Sequence, residues 1–122
     1  MDELLHDCLY PVMLGSNAIA HACVRQIQKQ YSIGSTVLTG KRALTLRFLP
    51  GVRMVDAPAT LSDELLLTIL QDVELSGGAR IPLLVLCDNH YEGFVTRNRD
   101  ALEMRFILRR AQDLLGEAYY EF

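Results

Sequence analysis

The chain has 122 residues, half of them hydrophobic and 22% charged, with a formal net charge of −3. That length supports one domain with a substantial core and leaves no room for a second. No apolar run reaches the ~18–20 residues of a membrane span, the start Met-Asp-Glu-Leu-Leu-His lacks the basic-then-apolar order of a secretory leader, and nucleic-acid binding would need clustered, uncompensated Lys and Arg. The expectation is a protein with neither a membrane nor a nucleic acid as partner. Cys8, Cys23 and Cys87 form no C-x-x-C pair and leave one thiol over, which points to reduced thiols and a cytoplasmic location.

Tyr10 to Leu14 is a short apolar run suited to a strand covered on both faces. Ser16 or Asn17 then caps a helix in which Ile19, Cys23, Ile27 and Tyr31 recur every four residues, widened by Ala20 and Val24, while Arg25, Gln28 and Lys29 lie off the stripe. Gly34 breaks the pattern, and Ser35 to Thr39 reads as the second strand. In Lys41 to Leu49 the alternation of Leu44, Leu46 and Phe48 fits a strand or an extended connection, ended by Pro50-Gly51. Val52 to Ala57 is a short third strand.

Ser62 caps a second helix with Asp63 and Glu64 in its first turn, where the positive end of the helix favours acids. Its apolar face is Leu65, Leu66, Ile69, Leu70 and Val73, and Gly77-Gly78 stops it. Ile81 to Leu86 is the clearest central strand. Asp88 or Asn89 caps the segment after it, in which Tyr91, Phe94 and Val95 can pack on the sheet. Arg105 to Leu108 reads as a fifth strand, and Ala111 to Phe122 as a terminal helix weakened by Gly116. Strands alternating with helices imply an α/β fold of three layers, Rossmann-like, with a mainly parallel sheet of four to five strands. Ligands then sit outside the carboxyl ends of the strands. The candidate edge is Gly15-Ser16-Asn17, Thr39-Gly40-Lys41, the region after Asp56, and Cys87 to Tyr91.

Several motifs are weaker than they look. The Gly15 turn lacks the later glycines of a dinucleotide fingerprint, whose places hold Asn17 and Ala20. It suits a packing turn at the rim of a larger site. Gly34 to Arg42 imitates a phosphate-binding loop, but it has one residue too many between its glycines, carries Arg where a magnesium-holding hydroxyl belongs, and runs through a strand. Cys87 has no helper that would make it a thiolate. Asp88 and His90 are an acid–base pair in principle, although a cap with an exposed histidine is the plainer reading. His6, His21 and His90 have no metal-ligand spacing. Arg97, Arg99, Arg105, Arg109 and Arg110 are interleaved with Asp100, Glu103 and Asp113 and read as a solvated face. Acidic residues are missing after the first strand, against a phosphoacceptor receiver.

Three segments in order resemble a known family. "YPVMLGSNAIAHACVRQIQKQYSIGSTVLTGK", from Tyr10 to Lys41, is similar to the opening of ATP-grasp carboxylate–amine ligases of the D-aspartate ligase type: a Pro-Val-Leu-Gly-Ser strand, a helix ending in Tyr-Gly-Ile and a strand ending in Gly-Lys. "VRMVDAP", from Val52 to Pro58, falls at their short third strand. "LLVLCDNHYEGFVTRNRDAL", from Leu83 to Leu102, resembles their Leu-Leu-x-Pro-x-Gly-Asp-x-Tyr strand and turn with the helix that follows.

The resemblance implies a pre-ATP-grasp domain over residues 1–110, with residues 111–122 beginning the helix that links it to an ATP-grasp domain absent from this chain. It implies the substrate side of a ligase that phosphorylates a carboxylate with magnesium-ATP and lets an amine attack the acyl phosphate. ATP and magnesium would belong to the full-length ligase, and this chain alone would be inactive and would hold neither tightly. Gly15, Ser16, Asn17, Asp88, Asn89 and Tyr91 would line the rim, touching an amino-acid or carboxylate substrate or the neighbouring domain. A homodimer is compatible with this reading. Two departures stand out: Cys87 precedes Asp88 where the family has Gly, and Gly116 falls where the family carries an ATP-contacting Lys. Ending inside an expected helix, the chain reads as an excised fragment. The competing reading is a stand-alone α/β binding or interaction module.

Overall fold

The computed structural model describes residues 8–40 and 49–116. Five parallel strands form one sheet: β1 (Leu9–Leu14), β2 (Ser35–Thr39), β3 (Val52–Asp56), β4 (Ile81–Leu86) and β5 (Ile107–Arg110), in the spatial order β3-β2-β1-β4-β5. β1 pairs with β2 on one side and β4 on the other. That central place explains its unbroken apolar run, with Val12, Met13 and Leu14 all fully buried.

Helices cover both faces. On one, α1 (Ala18–Tyr31) and the short α5 (Ala111–Leu115) close a core of Met13, Cys23, Val24, Ile27, Val37 and Val85. On the other lie α2 (Asp63–Ser76), α3 (Glu92–Arg97) and α4 (Arg99–Glu103), and Leu66, Leu70, Phe94, Leu102 and Phe106 meet Val12, Leu14, Leu38 and Leu84. The result is a three-layer, Rossmann-like α/β fold, as the alternation of elements implies.

The local signals act where the residue types place them. Asn17 caps α1 by accepting from the Ala20 amide at 2.9 Å, and Ser62 caps α2 by accepting from the Leu65 amide at 3.3 Å. Gly77 ends α2. It also lies flat on Tyr10, where an added Cβ would stand 2.7 Å from the ring.

Three expectations change. Leu65 does not join the buried face of α2; it is 52% exposed, because the helix turns Leu66, Leu70 and Val73 to the sheet. The fifth strand is Ile107–Arg110, two residues later than Arg105 to Leu108. The amides of Arg105 and Phe106 both donate to the Leu102 carbonyl, so those residues close the turn after α4 before the chain extends. The third strand ends at Asp56, while Ala57 leaves it to bond back to the Thr39 carbonyl. The expected element over Lys41 to Leu49 and the end of the terminal helix fall largely on residues 41–48 and 117–122, outside the described residues. Within them α5 ends at Gly116, whose φ is +84°.

The arginine-rich segment is a solvated, paired surface. Arg97 reaches Asp63, Arg99 reaches Glu103, Arg105 reaches Glu74 and Arg110 reaches Glu92. Each pair is exposed enough for water and salt to weaken it.

Candidate functional site

The strand order places the sheet's topological switch between β1 and β4. From β1 the chain winds outward through β2 to β3, then returns to β4 on the other side of β1. In open α/β sheets the turns leaving two such strands diverge and leave a crevice at their carboxyl ends. Here those turns are Gly15-Ser16-Asn17 and Cys87-Asp88-Asn89.

Backbone bonds draw the ends of three strands together. The amides of Cys87 and Asp88 both donate to the Leu14 carbonyl, at 3.1 and 3.2 Å, and the Gly15 amide donates to the Leu38 carbonyl at 2.8 Å. Gly15 has φ +115°, and a Cβ there would stand 2.5 Å from the Cβ of Asp88. Only a residue without a side chain lets the two turns touch. Gly40 repeats the arrangement further along the edge, where a Cβ would fall 2.4 Å from that of Pro58.

Side chains complete the rim. Asn17 uses both ends of its amide: Oδ1 caps α1, and Nδ2 donates to the Cys87 carbonyl at 3.0 Å, which ties the helix start to the β4 turn. The hydroxyls of Ser16 and Thr39 lie 2.6 Å apart. Asp88 Oδ1 accepts from the His90 amide at 2.9 Å and contacts His90 Nδ1 at 2.6 Å. It therefore caps the short turn Asn89–Tyr91 and orients the imidazole at the same time. His90 is 73% exposed and Asp88 19%. Asn89 is exposed beside them.

Tyr91 turns the other way. It is 3% exposed, and its hydroxyl donates to the Ala57 carbonyl at 2.7 Å. Burial, reinforced by the charges of Asp88 and Asp56, pushes the phenol up to about 12, so it stays neutral as a brace beneath the rim. The structure thus brings Gly15, Ser16, Asn17, Asp88 and Asn89 to one edge and sets Tyr91 under it.

Cys87 is a packed thiol. Its neighbour Cys23, its burial and the nearby charge of Asp88 raise it above the ordinary range, so it is protonated at neutral pH. Among the described residues no group of His, Cys, Asp or Glu is arranged to hold a metal ion.

Sequence reasoning names Thr39 and the region after Asp56 as edge residues but does not foresee their partners. The Ser16–Thr39 contact, the Gly40–Pro58 contact and the Tyr91–Ala57 bond join residues from different crossovers. No spacing in the chain encodes them.

Among the described residues the edge offers the first-turn amides of α1 ahead of the capped Ala20 amide, an exposed side-chain amide on Asn89 and an imidazole held by a carboxylate. A small anion or carboxylate suits that set. Among the described residues the edge is open, and His90 stands largely in water. No family model, curated protein or solved structure matches this chain.

Proposed function

We propose that this chain is the substrate-side domain of an ATP-dependent carboxylate–amine ligase and works only beneath an ATP-grasp domain supplied from outside it. The observation that carries this reading is a coincidence of place. The two turns joined at the sheet's switch point, Leu14 to Asn17 and Cys87 to Tyr91, are two of the segments in which the sequence resembles that family.

The chemistry of the edge agrees. Activated carboxylates are lost to water unless the site closes over them. An edge whose histidine is 73% exposed needs a second surface to exclude water. The described residues of the rim do not fit a nucleotide with its metal: Asp88 is already bonded to His90, no group of acids and histidines is arranged there to hold a metal ion, and the Gly15 turn lacks the glycines that would cradle a pyrophosphate. Nucleotide and magnesium therefore belong to the outside domain, and this edge contributes the position of an amino-acid or carboxylate substrate. The free amides of α1 would hold a carboxylate there, with Asn89 and His90 beside it.

The test is ATP turnover. The isolated chain, given magnesium-ATP and a mixture of L- and D-amino acids, should form no ADP above background. Steady ADP formation would overturn the reading. The second reading, a stand-alone binding module, draws on how completely Ser16, Asn17 and Tyr91 bond within the chain. It predicts no partner with ATP-grasp chemistry.

A further inference from the structure

At the opposite, amino-terminal edge of the sheet lies a cavity of about 530 Å³ that the ligase reading does not use. Its size falls within the range of small-molecule sites. Two arginines, Arg53 and Arg80, line it, and no acidic residue does so among the described residues.

The lining is built to present donors. Arg53 stands on β3 in register with Thr36 of β2, so both side chains leave the same face of the sheet. Arg53 is exposed and makes no ion pair among the described residues. Arg80 is held from two sides: its Nε donates to the Gly77 carbonyl at 3.0 Å, and its guanidinium lies 4.6 Å over the Tyr10 ring. Both Nη groups are without a hydrogen-bond partner among the described residues.

Beneath them is a buried hydroxyl pair. Thr36, 3% exposed, donates from Oγ1 to the Tyr10 phenol oxygen at 3.3 Å, and Tyr10 is 8% exposed. With Thr36 donating to it, the Tyr10 hydroxyl keeps its own proton to donate, and Ser35, 4% exposed on the same lining, has an Oγ with no partner among the described residues. Buried hydroxyls with a proton to give and two arginines with no carboxylate partner among the described residues ask for the same thing, an oxyanion. Pro11 and Ile33 add an apolar wall.

We propose that this cavity binds a small organic phosphate, with its oxygens on Arg53, Arg80 and the Tyr10 hydroxyl and its organic part against Pro11 and Ile33. Two guanidinium groups on one lining suit a phosphate dianion better than a singly charged carboxylate. The site stands apart from the carboxyl-edge rim and does not depend on the ligase reading.

The experiment is an amide-shift titration of the ¹⁵N-labelled chain with phenyl phosphate, with inorganic phosphate and benzoate as comparisons. Saturable shifts should centre on residues 10, 36, 53 and 80 and leave residues 15–19 and 88–91 in place. Phenyl phosphate should bind at least about fivefold more tightly than either comparison. Arg53→Gln, an exposed change that leaves the fold intact, should weaken it at least about tenfold, and Thr36→Val and Arg80→Gln should weaken it as well. Asn89→Ala should leave it unchanged. The proposal is overturned by an absence of saturation, by equal binding of benzoate, by equal binding of inorganic phosphate, or by an Arg53→Gln variant that binds as the parent does.

Discussion

At Gly15 the backbone leaving one strand touches the backbone leaving another, and the consequences of a side chain there separate into two parts. The φ of +115° strains any L-residue, and the 2.5 Å approach to Asp88 adds a collision with an atom that cannot swing away. Gly78 has φ +62° but nothing within 4 Å, so it carries strain alone. Gly78→Ala should cost about 1–2 kcal/mol and Gly15→Ala about 2–5 kcal/mol, read from urea unfolding. Equal losses would mean the two turns do not press on each other. That Gly15 sits in a turn is legible from the apolar run before it and the helix after it. Its contact is not, because Asp88 lies far along the chain and glycine carries no mark of what it faces. The same holds for Tyr91: its aromatic type foretells burial, but nothing in the sequence names the Ala57 carbonyl as its acceptor.

Helices and strands were largely written in periodicity and caps, and their ends were decided by tertiary contacts. α1 follows its stripe and its Asn17 cap, yet Asn17 also holds the β4 turn through the Cys87 carbonyl. Asn17→Ala loses both bonds and should cost about 2 kcal/mol, whereas Asn17→Asp keeps the cap and should cost about 1 kcal/mol. Equal losses in thermal or urea unfolding would mean that the cap contributes nothing beyond the bridge. α2 is joined to the α3–α4 junction by Asp63, which accepts from Arg97 Nε and Nη2 and from Asn98 Nδ2. Those hydrogen bonds, with the Arg97 charge, hold its carboxyl at about 2, below its ordinary 3.8. A carboxylate lowered on folding stabilises the fold above its ordinary range, and the gain is lost as pH falls from near 4 through 2. Asp63→Asn should therefore flatten the loss of stability in that window, measured by urea midpoints from pH 5 to pH 2. An unchanged slope would show that the contact is too loosely held to be linked to folding. The displaced start of β5 follows the same logic. Arg109 and Arg110 look unlike strand residues, but an edge strand with one wet face accepts them once Phe106 has been drawn into the core.

For the whole molecule, the decisive feature is the order β3-β2-β1-β4-β5, which makes β1 and β4 neighbours and faces their turns to each other. Alternating elements foretell a parallel α/β sheet. They do not foretell that the first-strand turn and the Asp88 turn form one rim, because strand order depends on how the crossovers wind. The amino-terminal cavity was illegible for the same reason, since Tyr10, Thr36, Arg53 and Arg80 come from separate segments and share no motif. The central claim, that the joined turns at the switch point position an amino-acid or carboxylate substrate while the nucleotide is held elsewhere, has a direct test. The ¹⁵N-labelled chain is titrated with a panel of L- and D-amino acids and, separately, with magnesium-ATP. The account predicts saturable amide shifts from at least one amino acid confined to residues 15–19 and 87–91, and no saturable shift at those residues from magnesium-ATP. Saturable nucleotide binding at the rim, or no amino acid moving those amides, would contradict it.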